Sequence, residues 1–312
     1  MLTLREHPLE EAFEWRPEPS IEEAKPQDPA PDPAETRHPL RRVDGSPIGL
    51  GAYCETVTPA WRWDWPHLKK IDEVLDKVER GELKRVIIQL PPRHGKTEKA
   101  TVRHPAYRLE LNTQMRIILG AYNGKLAQRF SRKIRRVVRG RIELSTERNA
   151  AEDWETVDGG GVRAVGVGEG VAGLPADLIL IDDPIKNRRD AFSEAFRNAL
   201  WEWFTEDIYT RLEPGGAIVI TMTRRHEDDL VGRILASDDA KDWTVIRLPA
   251  LAEEGDLLGR PVGAALCPER YDEAALAKIR STIRELSFSS LYQQRPAPAS
   301  GLIFKSDWWH YY

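Results

Sequence analysis

A chain of 312 residues, 41% hydrophobic and 31% charged, holds enough apolar material for one large domain or two modest ones. No apolar run approaches the roughly 18 residues that would suggest a membrane span. The net charge of −4 does not exclude a nucleic-acid partner: residues 1–44 carry eleven acids against six bases, so the body is near neutral and free to bear a local basic face.

The N-terminal MLTLREHPLEEAFE carries acids where a signal peptide would be basic and then apolar. Cys54 and Cys267 lie far apart and match no metal spacing, so the expectation is a soluble intracellular protein without disulfides. Nine of the 22 prolines fall in residues 1–47. That stretch lacks apolar periodicity and cannot offset its ordering entropy alone, which predicts a flexible arm with a short helix near Leu9 to Trp15.

From about residue 60 strand-like and helix-like segments alternate. Residues 65–81 read as an amphipathic helix with Leu68, Ile71, Val74, Leu75 and Val78 on one side. Strands are predicted at 85–90, 115–122, 162–167, 177–182, 217–222 and 243–248, and several are apolar without alternation, as strands buried on both faces are. Helices are predicted near 124–140, 190–212 and 272–294. The pattern is α/β: a mostly parallel central sheet flanked by helices, spanning 48–295, with a small lid or linker region around 250–295 and a linker tail at 296–312.

The stretch VIIQLPPRHGKT ends like a phosphate-binding loop, although Leu90 stands where the usual pattern has its first glycine and Pro91 and Pro92 follow. The prolines sit early in the turn, where a missing N–H costs least and a fixed φ helps hold the loop. Lys96 would reach the β- and γ-phosphates, and the Thr97 hydroxyl would ligate Mg²⁺. The alternative is a surface turn after a strand. Downstream, LILIDDP ends an apolar strand in paired carboxylates, Asp182 and Asp183. One acid can hold the metal and the second can polarise an attacking water. The expectation is that the loop and the twin aspartates meet across adjacent strands around one magnesium–triphosphate.

The strand AIVITM runs into Thr223 and Arg224, a polar tip able to sense the γ-phosphate. His226, Glu227, Asp228 and Asp229 follow, and the preferred reading is acids complementing the first turn of a helix rather than a metal site. In GKLAQRFSRKIRRVVRGRIE, Leu126, Phe130, Ile134, Val137 and Val138 share one arc and seven cations fill most of the rest. Arg129, Arg132 and Arg136 are candidates for contact with DNA phosphates or a neighbouring subunit, against the plainer alternative of a solvated surface.

Four stretches in this order, PPRHGKT, LILIDDPIKN, TRRHEDDLVGRIL and SLYQQRPAPASGLIFKSDWW, resemble the large terminase subunit of tailed bacteriophages over roughly residues 50 to 312. The resemblance implies a phosphate-loop ATPase core of the additional-strand class. It implies an ATP- and Mg²⁺-dependent, DNA-stimulated phosphohydrolase that packages double-stranded DNA into procapsids. The implied partners are duplex DNA, the portal protein, the small terminase subunit and further copies in a ring. The implied setting is the cytoplasm of the infected host, with transient residence at the portal vertex.

Carried over by position, Lys96, Asp183 and Arg93 are catalytic, with Arg93 touching the γ-phosphate. Pro92, His94, Gly95, Thr97 and Glu98 join them in binding nucleotide. Thr97 and Asp182 hold the metal, and Thr223 and Arg224 form the coupling motif. In the family the adenine is approached from the side of Trp63, Trp65 and His67; His67 is the candidate base contact, and a tryptophan either stacks on the base or anchors the helix. Two departures stand out. Leu174 occupies the place where an arginine finger is often found. Beyond residue 300 the only acid is Asp307, so no nuclease activity is expected of residues 1–312. Rival readings are a helicase-like NTPase and a degenerate nucleotide-binding assembly module.

Overall fold

The computed structural model describes residues 40–42, 44–171 and 173–296. The elements run α1 (Leu50–Val57), α2 (Pro66–Glu79), β1 (Arg85–Gln89), a π-helical segment (Thr97–Arg103), α3 (His104–Leu111), β2 (Arg116–Ala121) and α4 (Gly124–Val138). Then come β3 (Leu144–Asn149), β4 (Asp153–Thr156), β5 (Gly161–Gly166), β6 (Ala176–Asp182), α5 (Arg188–Phe192), α6 (Glu194–Glu202) and β7 (Leu212–Met222). The last are α7 (Leu230–Ala236), β8 (Thr244–Arg247), α8 (Glu273–Ile283) and α9 (Glu285–Leu291).

The strands form one sheet in the order β3-β4-β5-β2-β6-β7-β1-β8. The six strands from β5 to β8 are mutually parallel, and β3 and β4 add an antiparallel flank. The uninterrupted apolar runs explain the two-sided burial, because successive residues of a strand point to opposite faces. Ile88, Ile117, Leu119, Leu178, Leu180 and Val219 pack on one side with α1–α4. Ile87, Ile118, Ile179, Ile181, Ile218 and Ile220 pack on the other with Leu200, Trp203, Phe204 and Val231. Each such side chain, removed from water, contributes about 1.5–3 kcal/mol. Gly120 in β2 is required by this packing: a Cβ there would stand 2.8 Å from the Trp203 ring.

The topology corrects one expectation. The loop strand β1 and the acid-bearing strand β6 are not adjacent; β7 lies between them. Register then sets Asp182 opposite Thr221, and Gln89 opposite Met222, at the same end of the sheet. The polar tip of β7 therefore stands between loop and acids.

Other differences have local causes. The segment LGAYCETV forms α1 on tertiary terms, with Leu50, Tyr53 and Cys54 buried and the Leu50 amide donating to Asp76 Oδ1 at 2.8 Å. The β3 strand LSTERN has no apolar run to announce it, and its partner β4 is fastened by the buried Trp154, whose indole N–H donates to Ser131 Oγ of α4 at 2.9 Å. The expected helix over 190–212 is broken: Ser193 caps a fresh start at α6, and a π turn follows at Trp203–Ile208. That over 272–294 breaks at Arg284, where φ is 70°. Pro105 falls in the first turn of α3, where its missing N–H costs nothing, and the preceding turn widens to π geometry.

The described residues belong to one compact unit beginning at Leu40, which is buried in the core, so the folded part starts ahead of the expected boundary at 47. The helix expected near Leu9 to Trp15 lies outside the described residues. Residues 250–292 build a small core of their own around Ala250, Ala265, Leu276 and Phe288. No helix among the described residues is long and apolar enough to cross a membrane.

Candidate functional site

After β1 the chain turns through Pro91 and Pro92 into two left-handed residues, Arg93 (φ 66°) and Gly95 (φ 87°), which bracket His94. Alternating backbone hands of this kind point successive N–H groups into one concavity, the form that receives anions. Gly95 is required by its φ, and a Cβ there would also crowd Leu68 Cδ2 at 3.1 Å. The loop is fastened from inside. His94 Nδ1–H donates to Pro92 O at 2.9 Å, and His67 Nε2–H donates to His94 O at 3.1 Å. Burial pushes the His67 imidazole down to about 3 and the His94 imidazole down to about 4, so both rings are neutral at physiological pH. One turn further on, the fully buried Lys99 pairs with Asp72 of α2 at 2.7 Å and ties the loop's helix to the first layer.

Across the sheet edge the acids converge on this loop. Asp182 is 1% exposed and accepts a short hydrogen bond from the Thr221 hydroxyl; the Thr97 hydroxyl also reaches it. Burial, and next the neighbouring Asp183 carboxylate, push Asp182 well above the usual carboxylate range, with Lys96 opposing. Asp183 adopts a left-handed backbone (φ 41°) that turns its side chain back over the strand tips. Its Oδ2 pairs with Lys96 Nζ at 2.9 Å, and its Oδ1 accepts from the Thr223 amide at 2.7 Å. Lys96 also donates to Thr223 Oγ1 at 2.8 Å. Lys96, Thr97, Asp182, Asp183 and Thr223 thus share one point, contributed by three strands.

Beside them opens a cavity of about 450 Å³, walled by Arg93, Gly95, Lys96, Thr97 and Glu98, by Leu68 and the Trp61–Trp65 segment, and by Arg270. Three residues expected to bind nucleotide do not line this cavity. His67 and His94 are buried behind the loop and act as its internal fasteners, and Pro92 is not on the wall. The aromatic surface is supplied instead by the half-exposed Trp61, stacked on Trp63 at 5.6 Å, and by Trp65, with the Arg62 guanidinium 5.7 Å from its ring. Glu98 is neutralised by Arg103 and Lys133. Sequence reading missed Trp61, although it heads the same WRWDW run. It also missed Arg270, for which no local signal exists.

Arg224 is a buried anchor. Its guanidinium holds Asp229 at 2.8 Å and two backbone carbonyls. Its own peptide is held on both sides by the C-terminal segment: the N–H donates to Gln294 Oε1 at 3.0 Å, and the O accepts from Ser290 Oγ at 3.1 Å. Of the acids after it, only Asp229 serves a helix start, as the cap residue, and none stands in the first turn of α7. Asp229 caps α7 through the Gly232 amide at 3.0 Å, while Asp228 is held well below the usual range by Arg233 and Arg197. No cluster of three metal-ligating side chains occurs among the described residues.

On α4, Phe130, Ile134 and Val138 are buried and Leu126 and Val137 partly so. Arg129, Arg132 and Arg136 lie exposed with Lys125 and Arg139, and among the described residues none of the five forms an ion pair. Leu174 sits before β6, at the end away from Asp182. It lines a second cavity of about 220 Å³ with Arg116, Arg148 and Arg163, each already paired with a carboxylate.

Comparison with known proteins agrees with this architecture. Residues 87–309 match the family model described as terminase large subunit, T4likevirus-type, N-terminal. Among solved structures the chain is similar to the HK97 bacteriophage large terminase, with a TM-score of 0.50 and 16% identity over 79% of this chain and 54% of that one. It is equally similar to the large terminase of the thermophilic bacteriophage D6E, with a TM-score of 0.50 and 13% identity over 79% of this chain and 57% of that one. The chain thus spans a little over half the length of these two proteins, and the likeness is one of fold. No curated protein is a detectable relative.

Proposed function

This chain belongs to the family of terminase large subunits, and on that premise we propose that it is the ATP-hydrolysing motor that drives double-stranded DNA into procapsids. The observation that carries the reading is the meeting of Lys96, Thr97, Asp182, Asp183 and Thr223 across three strand ends beside a cavity of nucleotide size. The loop amides and Lys96 receive the phosphates, and the exposed Arg93 is placed on the same wall to meet the γ-phosphate. Thr97 and Asp182 offer a hydroxyl and a carboxylate at one spot, an oxygen donor set that suits Mg²⁺ with the remaining positions left to water and phosphate. When bound, the ion neutralises charge developing on the transferred phosphoryl group.

Phosphate oxygens compete with Asp183 for the Lys96 ammonium, which releases Asp183 Oδ2 to orient the attacking water while Oδ1 stays on the Thr223 amide. Change at the γ-phosphate is felt by Thr223 and passed by the next peptide to Ser290 and Gln294. The exposed face of α4 contacts duplex DNA, and the portal, the small terminase subunit and further copies of the chain complete the machine. Phosphate release by wild type and by Lys96→Ala, with and without duplex DNA, tests the reading. Turnover should fall by at least about 1,000-fold in the variant; turnover that survives the substitution removes the loop from the mechanism.

A further inference from the structure

We propose that Arg270 is a phosphate-binding residue of the nucleotide cavity, supplied by the C-terminal segment rather than by the sheet. The inference rests on the nucleotide reading of that cavity. Arg270 shares the wall with Arg93, Lys96 and Thr97, although 174 residues separate it from Lys96. Its side chain is exposed and, among the described residues, joined to no carboxylate.

The neighbouring charges are already matched. Arg62 is held by Asp64 at 2.9 Å and by Glu269 at 3.3 Å, and Glu98 by Arg103 and Lys133. Lys96 is shared between Asp183 and Thr223. Among the described residues the cations left without a counter-charge at the cavity are therefore Arg93 and Arg270. A guanidinium so placed suits a polyanion, since its planar fork can donate two parallel hydrogen bonds to phosphate oxygens.

Its position is registered to the phosphate loop. The amides of Arg270 and Tyr271 both donate to Cys267 O, at 3.0 and 2.8 Å, closing a turn. The Tyr271 ring packs on His94 with centroids 5.3 Å apart. His94 stands between the two left-handed residues of the loop, so a shift of the loop is a shift of the surface on which this turn rests. The same segment is bonded at its far end to Arg224 through Ser290 and Gln294. It therefore meets the site twice, at the loop and behind the tip of β7, and a triphosphate engaged by Arg270 draws the two contacts into one response.

Steady-state ATPase measurements on wild type, Arg270→Ala and Arg270→Lys, with inorganic tripolyphosphate as a competitive inhibitor, test the assignment. In Arg270→Ala the KM for ATP and the Ki of tripolyphosphate should both rise about tenfold, with a smaller change in kcat and an unaltered melting temperature. Arg270→Lys should recover part of both. A raised KM with an unaltered tripolyphosphate Ki would move the contact to base or ribose and overturn the proposal, as would a lowered melting temperature that accounts for the loss. If wild-type turnover depends on Lys96 while Arg270→Ala leaves KM unchanged, this inference fails and the nucleotide reading stands. If wild type neither binds nor hydrolyses ATP, the nucleotide reading itself has failed.

Discussion

Cations around the phosphate loop and cations along α4 belong to one chain but live under opposite rules. Near the loop each buried cation has a fixed partner: Lys96 with Asp183, Lys99 with Asp72, Arg224 with Asp229. A charge removed from water must be matched, so these pairs specify one geometry, and deleting one partner leaves the other stranded. On the outer line of α4, Lys125, Arg129, Arg132, Arg136 and Arg139 recur at intervals of four and three, all exposed and, among the described residues, without ion pairs. The cations off that line are tied down, Lys133 to Glu98, Arg135 to Asn149 and Arg141 to Glu110. A row of like charge about 21 Å long repels itself. It suits an extended polyanion whose phosphates can adjust along it. The paired cations build a rigid site, and the exposed row on α4 is the surface we propose for duplex DNA.

The sharpest way to break that contrast is at Asp183. Asp183→Asn keeps the acceptor for the Thr223 amide but removes the charge opposite Lys96. Hydrolysis should slow by about 1,000-fold while ATP affinity changes only a few-fold. Equilibrium nucleotide binding beside turnover checks this, and a collapse of binding would reassign Asp183 to holding the site together. A smaller effect is expected on α4. Reversing Arg129, Arg132 and Arg136 to glutamate should weaken duplex binding on the order of a hundredfold at low salt. It should also flatten the log–log salt dependence by about 3, one counterion lost per phosphate contact. An unchanged slope would return that face to plain solvation.

The smallest effect concerns the fasteners behind the loop. His67 and His94 are depressed by burial to about 3 and about 4, so the unfolded chain takes up protons near pH 6.5 while the folded chain does not. Their contribution is complete above that pH and declines as the medium is acidified, by about 2 kcal/mol for each ring between pH 6.5 and pH 5. Asp72 and Asp182 run the other way, because burial raises both and their folded forms take up a proton first. In urea unfolding at pH 7.5 and pH 5, the change on acidification should therefore be less destabilising in His67→Asn than in wild type by about 2 kcal/mol. A pH dependence identical to wild type would mean that His67 is not held neutral by its surroundings.

By itself the sequence determined the six parallel strands, the loop, the twin aspartates and the amphipathic α4, because each rests on a local pattern: an apolar run, a glycine at a required φ, a helical period. Tertiary structure alone decided which strand stands between loop and acids, that His67 and His94 serve the loop from behind, and that Arg270 reaches the cavity from a distant segment. Those outcomes come from strand order and burial, which depend on contacts between residues far apart in the chain. The polar hairpin β3–β4 and the breaks at Ser193 and Arg284 escaped for the same reason. Their stability comes from the neighbours they meet, and no stretch of a few residues contains that information.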